Sequence, residues 1–137
     1  MDDRKETHGY GMHLVEGCLI VPVNGGADDE EIRHLGKAIL MRAKAVRTRG
    51  VLIDVSALKM ISTYAFSILV NISKSIKMLG PRAIFVGFQP GVASALVDLD
   101  MELNSVLTAV ILEDAFEMLR PEAAFPQPAD GYENGEL

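Results

Sequence analysis

The sequence has 137 residues, a formal net charge of −6 at pH 7, and a composition that is 49% hydrophobic but only 6% aromatic. These values predict one domain with the aliphatic core that α/β proteins build, and the negative charge argues against a nucleic-acid partner. No run approaches the roughly 20 apolar residues of a membrane span, so we expect a cytoplasmic protein with no membrane partner. The single cysteine, Cys18, excludes an internal disulfide and lies in an apolar run, where we expect a buried structural thiol.

The first fifty residues predict two short strands and one helix. Residues 1–11 are polar, and we expect them to be frayed. Two apolar runs at 12–16 and 18–23 predict either a hairpin or one long bent strand. Because proline cannot donate to a ladder, Pro22 is expected near a sheet edge or a strand end. Acidic residues then open a helix whose apolar residues recur at helical spacing, and Gly50 is expected to end that segment.

The stretch 51–79 predicts a buried strand, a short turn and a long helix that begins at Ser62 or Thr63. The elements expected after it are a buried strand over 82–87, a helix over 91–99, a short strand over 108–110 and a last helix over 112–120. The composition changes at residue 121, and we expect 121–137 to be a disordered acidic tail. This alternation predicts an α/β fold over 12–120, with about four helices on a mixed, mostly parallel sheet of four or five strands.

The sequence offers no catalytic or cofactor-binding motif. Neither a G-x-x-x-x-G-K-[ST] loop nor a G-x-G-x-x-G fingerprint occurs, and the three histidines do not share the spacing of a metal site. The acidic run at 28–31 could bind a metal, but consecutive helical residues point in different directions, which favours ordinary helix-start charges. We therefore expect no enzymatic activity, no cofactor and no metal.

The turn before the long helix brings together small oxygen-bearing side chains. They are Asp54, Ser56, Ser62 and Thr63. A helix start favours a phosphate through its free N–H groups and its dipole, and a phosphate would add about −1.5 to −2 charges to the surface. The turn is therefore a candidate phosphorylation site. The alternative for Ser62 and Thr63 is plain N-capping, for which both residue types are preferred.

Large side chains near the start of the same helix form a candidate docking surface. Tyr64, Phe66 and Val70 lie within two turns of the hydroxyl pair, so a phosphate there would block or reshape docking. For Phe66 and Val70 the sequence leaves two interpretations open: exposure to a partner, or contact with a neighbouring helix of the same domain.

The stretch from 50 to 103 resembles the STAS domain of anti-sigma factor antagonists, and looks most similar to stressosome scaffold proteins of the RsbS and RsbR type. The shared features are a buried strand ending in Asp54, a hydroxyl at Ser56, Met-Ile before the hydroxyl pair, a helix closing at Met-Leu-Gly, a strand ending in Val-Gly, and Gln89-Pro90 opening the next helix. The resemblance covers about Met12 to Arg120.

This resemblance implies a sheet with helices packed on it, no enzymatic activity, and phosphorylation by a partner serine/threonine kinase of the GHKL type. In such families the acceptor directly follows an aspartate at the helix start, so Thr63 matches the acceptor. Ser62 stands where the family has the aspartate and thus becomes a rival acceptor. Ile111 stands where the family has an aspartate before the last helix. The implied partners are this kinase and other STAS proteins, in at least a dimer.

Three functions follow as hypotheses. The leading one is a stressosome-type scaffold in which phosphorylation of Thr63 releases a switch kinase or downstream regulator. The second is a stand-alone anti-anti-sigma factor that binds an anti-sigma kinase. The third is a small-ligand-binding α/β domain, against which the lack of a histidine or carboxylate cluster argues. The residues expected to bind partners are Asp54, Ser56, Ser62, Tyr64, Phe66 and Val70.

Overall fold

The structure, a computed structural model, describes residues 10–98 and 106–120. Within these ranges the strands are β1 (His13–Val15), β2 (Cys18–Pro22), β3 (Gly50–Asp54), β4 (Arg82–Val86) and β5 (Leu107–Ala109). The helices in the same ranges are α1 (Asp29–Ala45), α2 (Thr63–Leu79), α3 (Pro90–Asp98) and α4 (Leu112–Met118). The expectations for residues 1–9 and for the tail 121–137 lie outside the described residues.

The strands form one mixed sheet in the order β1-β2-β3-β4-β5. The first two strands pair antiparallel as a hairpin, whereas β2, β3, β4 and β5 pair in parallel. Pro22 lies at the end of β2, opposite Asp54, and Asp54 lies opposite Val86. The carboxyl ends of the three central strands therefore meet at one edge of the sheet, where the turns into α1, α2 and α3 begin. The predicted fold class, an α/β domain with about four helices on a mixed sheet of four or five strands, is confirmed: the described residues form five strands and four helices.

The central strand β3 is buried on both faces. Val51 and Ile53 belong to the core on one face of the sheet, together with Ile39 of α1 and Leu69 of α2. Leu52, which alternates with them, belongs to a smaller core that includes α4 on the other face. Because both faces are covered, the strand has no polar side until it ends at the sheet edge. This is why its sequence is a continuous apolar run.

The single cysteine is buried at the start of β2, as predicted. Burial raises the pKa of the Cys18 thiol, against an opposing effect of the nearby Arg49. Within the described ranges, no helix has both the length and the apolar character needed to cross a bilayer.

The role predicted for Gly50 is wrong. Helix α1 already ends at Ala45, with Val46 as its C-cap, and Gly50 is the first residue of β3. A Cβ at this position would lie 2.4 Å from a methyl carbon of Leu119. Glycine is needed here because the end of α4 packs directly on the strand, not because a helix terminates.

Candidate functional site

The turn between β3 and α2 is held firmly at its first residues. The amide of Val23 donates to the carbonyl of Asp54 at 2.9 Å, and the amide of Val55 donates to the carbonyl of Val86 at 2.9 Å. These bonds tie together the exits of β2, β3 and β4. Leu58, only 2% exposed, then anchors the middle of the turn in the core. The start of α2 is thereby placed at a fixed point on the sheet edge.

Asp54 and Ser56 shape this turn through hydrogen bonds within the protein. The Oδ1 atom of Asp54 accepts from the Ser56 amide at 3.0 Å and from the Ser56 hydroxyl at 2.7 Å, an arrangement in which a carboxylate stabilises a turn. The Gln89 side chain donates to the Ser56 carbonyl at 2.7 Å and links the turn to the loop before α3. The structure thus gives both residues a role in holding the loop.

Ser62 and Thr63 begin α2 in different roles. Ser62 is the N-cap, and its hydroxyl accepts from the amide of Ala65 at 2.9 Å. The same hydroxyl donates to Oδ1 of Asp29, the first residue of α1, at 2.8 Å. Thr63 is the first residue of the helix and is exposed. The capping interpretation is therefore confirmed for Ser62. Both residues are exposed, but only the Ser62 hydroxyl is engaged in capping the helix.

The acidic run at the start of α1 consists of helix-start charges. Asp28 and Glu31 form a reciprocal capping box, with hydrogen bonds of 2.8 and 2.9 Å. Glu30 contacts Arg33 at 2.5 Å and His34 at 3.0 Å, and the hydrogen bond from Arg33 holds the pKa of the Glu30 carboxyl below its usual range. In the part of the chain that the structure describes, no group of three or more His, Cys, Asp or Glu is arranged to hold a metal ion.

The prediction that Phe66 and Val70 face a partner is wrong. Phe66 is 0% exposed and Val70 is 9% exposed. Both pack with Val92 and Leu96 of α3, so the alternative interpretation, contact with a neighbouring helix, is correct. Tyr64, by contrast, is 55% exposed. The apolar residues of α2 cover two sides of the helix because the sheet lies against one side and α3 against another.

Two residues near the start of α2, Met60 and Asp29, were not predicted from the sequence to belong to the candidate site. Met60, 82% exposed, projects from the turn just before α2. Asp29 reaches Ser62 across 33 positions of sequence. The signal for Asp29 was indirect: α1 and α2 follow neighbouring parallel strands, so their first residues share one sheet edge. We call the group Asp29, Met60, Ser62, Thr63 and Tyr64 the switch surface.

Comparison with known proteins shows which family the chain belongs to. The family model described as STAS domain matches residues 12–114, so the chain belongs to the STAS domain family. In sequence it is similar to two Bacillus subtilis proteins, the RsbT co-antagonist proteins RsbRA, at 22% identity, and RsbRD, at 25% identity, each over 104 residues or 76% of this chain. The chain spans only 38% and 37% of the lengths of these two relatives.

Solved structures share the fold. An RsbS variant from Moorella thermoacetica matches with a TM-score of 0.72 at 24% identity, covering 83% of this chain and 97% of that one. A protein chain from a structure that describes the molecular architecture of the stressosome matches with a TM-score of 0.71 at 24% identity, covering 83% of this chain and 99% of that one. The anti-sigma factor antagonist SpoIIAA, in its unphosphorylated form, matches with a TM-score of 0.62 at 10% identity, covering 78% of this chain and 93% of that one. The chain is thus a STAS domain, and it shares its fold with these three solved structures.

Proposed function

We propose that this protein is a non-enzymatic signalling scaffold of a stressosome-type complex in the cytoplasm, and that phosphorylation of Thr63 controls its partners. The observation that carries the proposal is the position of Thr63, which is exposed as the first residue of a 17-residue helix and is followed by the exposed Tyr64. The similarity to RsbRA and RsbRD, which are named as co-antagonists of RsbT, supports a protein partner that is related to RsbT.

A phosphate on Thr63 would change the charge of the switch surface sharply. The start of α1 already brings Asp28, Asp29, Glu30 and Glu31 to the same sheet edge, and Ser62 is hydrogen-bonded to Asp29. The helix terminus accommodates the phosphate through its free N–H groups, while about −1.5 to −2 further charges make this edge repel an acidic partner. A partner docked through Met60 and Tyr64 would then be released.

The partners proposed are a serine/threonine switch kinase of the GHKL type and other STAS proteins. Under this proposal the kinase docks on the switch surface, and Asp54 and Ser56 contribute by fixing the turn that presents it. Phe66 and Val70 contribute only through the packing of α2 on α3.

Two measurements test the proposal. Recombinant GHKL-type kinases encoded in the genome of the source organism are incubated with the protein and ATP, and the product is mapped by mass spectrometry. We expect one phosphate at the start of α2, abolished in the double variant Ser62→Ala/Thr63→Ala. Phosphate that survives this double variant, or no phosphate from any of the kinases, would contradict the proposal.

A stand-alone anti-anti-sigma factor is the second candidate, favoured by the fold likeness to SpoIIAA. Size separates the two functions. Mixed with a second STAS protein from the same genome, a scaffold is expected to form a megadalton-scale particle in analytical ultracentrifugation. An antagonist of an anti-sigma kinase is expected to stay in a small complex under the same conditions.

A further inference from the structure

The hydroxyl of Ser62 is engaged in two hydrogen bonds at once. It donates to Oδ1 of Asp29 at 2.8 Å and accepts from the amide of Ala65 at 2.9 Å. A serine hydroxyl has one proton to donate, so this proton is directed at Asp29. The oxygen that a kinase would need as a nucleophile is therefore both the cap of α2 and the link to α1.

The two hydroxyl residues are both exposed but differ in their surroundings. Ser62 lines a cleft of about 300 Å³ between the starts of α1 and α2, with Asp29, Ile32 and Leu58 on the same wall. Thr63, the first residue of the helix, does not line this cleft.

Phosphorylation would disturb the site at Ser62 far more than at Thr63. A phosphoester at Ser62 loses the proton that binds Asp29 and brings about −1.5 to −2 charges against the carboxylate that accepted it. The like charges repel at this range, and the hydrogen bond that joins the starts of α1 and α2 is lost. A phosphoester at Thr63 leaves both hydrogen bonds of Ser62 in place and puts the phosphate at a helix N-terminus.

We propose that Asp29 is a positioning residue that selects the phosphate acceptor: by holding Ser62 in its capping role, it leaves Thr63 as the nucleophile. This inference rests on the proposed phosphorylation of the α2 start. In the step itself, Oγ1 of Thr63 bonds to the γ-phosphorus of ATP while the bond from that phosphorus to the bridging oxygen breaks. ADP leaves, and the threonine proton passes to a base of the kinase.

The test compares two variants that each remove one acidic charge from the first turn of α1. Asp29→Ala removes the partner of Ser62, whereas Glu30→Gln removes a neighbouring charge whose contacts are Arg33 and His34. Each protein is phosphorylated with ATP and the GHKL-type kinases of the source organism, and the phosphate on Ser62 and Thr63 is quantified by mass spectrometry. We expect the wild type and Glu30→Gln to carry phosphate on Thr63, and Asp29→Ala to raise the Ser62 to Thr63 ratio at least tenfold.

The outcomes distinguish this inference from the proposed function. Phosphate mainly on Ser62 in the wild type, lost in Asp29→Ala, would mean that Asp29 activates Ser62 as a base, which overturns the inference but leaves phosphorylation of the helix start intact. A ratio in Asp29→Ala equal to that in Glu30→Gln also overturns it. Phosphate on neither residue in any variant defeats the proposed function and the inference together.

A second measurement needs no kinase. Urea unfolding of Asp29→Ala, Ser62→Ala and the double variant forms a double-mutant cycle. We expect a coupling of about two- to fivefold in the unfolding equilibrium constant, as for one exposed hydrogen bond to a charged group. Strictly additive effects would show that Asp29 does not hold Ser62 in solution and would overturn the inference.

Discussion

The burial of Phe66 gives a sharp test of how α2 is packed. Phe66 is 0% exposed, and the centroid of its ring lies 6.3 Å from that of Phe85 and 5.9 Å from that of Phe88. Replacing a buried Phe with Ala costs about 3–5 kcal/mol in general. We expect about 3–4 kcal/mol for Phe66→Ala, because α3 is only nine residues long and can shift toward the cavity. For a domain of this size the loss corresponds to a decrease in Tm of about 10–20 °C.

The control is Tyr64→Ala, two residues away on the same helix, where the side chain is 55% exposed. Its free energy of unfolding should change by no more than about 0.5 kcal/mol, while partner binding is weakened. Urea unfolding followed by far-ultraviolet circular dichroism measures both variants, since the chain has no Trp to serve as a fluorescent probe. If Phe66→Ala were as stable as Tyr64→Ala, the packing of α2 against α3 would be refuted.

Two further predictions follow from the backbone and from the cysteine. Gly87→Ala should destabilise the protein by about 2 kcal/mol or more, because Gly87 has a φ of 84° and its Cβ would lie 2.8 Å from that of Ser56. Gly91→Ala, where a Cβ meets nothing within 4 Å, should be neutral or stabilising in the same urea assay; equal losses in the two variants would contradict the geometry of the turn. The raised pKa of the buried Cys18 thiol lowers its thiolate fraction, so a disulfide reagent at mildly alkaline pH should label it only after urea is added. Rapid labelling of the native protein would show that the Cys18 thiol at the start of β2 is accessible to the reagent.

The stretch from β3 to α2 was predictable because its signals are local. A β-branched apolar run predicts a strand covered on both faces, and Ser62 ends the turn as a cap, so α2 begins at Thr63 as expected. Gly50 was assigned to the wrong element because a glycine between a helix and a strand gives the same local signal for either. The close approach of Leu119, 69 residues further on, decides its role.

The errors at the candidate site arise from contacts between distant segments. Whether Phe66 and Val70 are exposed depends on where α3 packs, and the sequence of α2 does not contain that information. The hydrogen bond from Ser62 to Asp29 depends on β2 and β3 being parallel neighbours, which places the starts of α1 and α2 side by side. The hydroxyl pair itself was visible in the sequence, but the different roles of its two members were not.

The central claim is that one phosphate on Thr63 changes which proteins bind the switch surface. The direct measurement is the Kd of the GHKL-type kinase for the protein with and without phosphothreonine incorporated at position 63, with phosphoserine at the exposed Ser94 of α3 as the control. We expect phosphorylation of Thr63 to weaken binding at least tenfold, about 1.4 kcal/mol, and the Ser94 control to bind like the unmodified protein. Equal affinities of the Thr63-phosphorylated and unmodified proteins would contradict the claim.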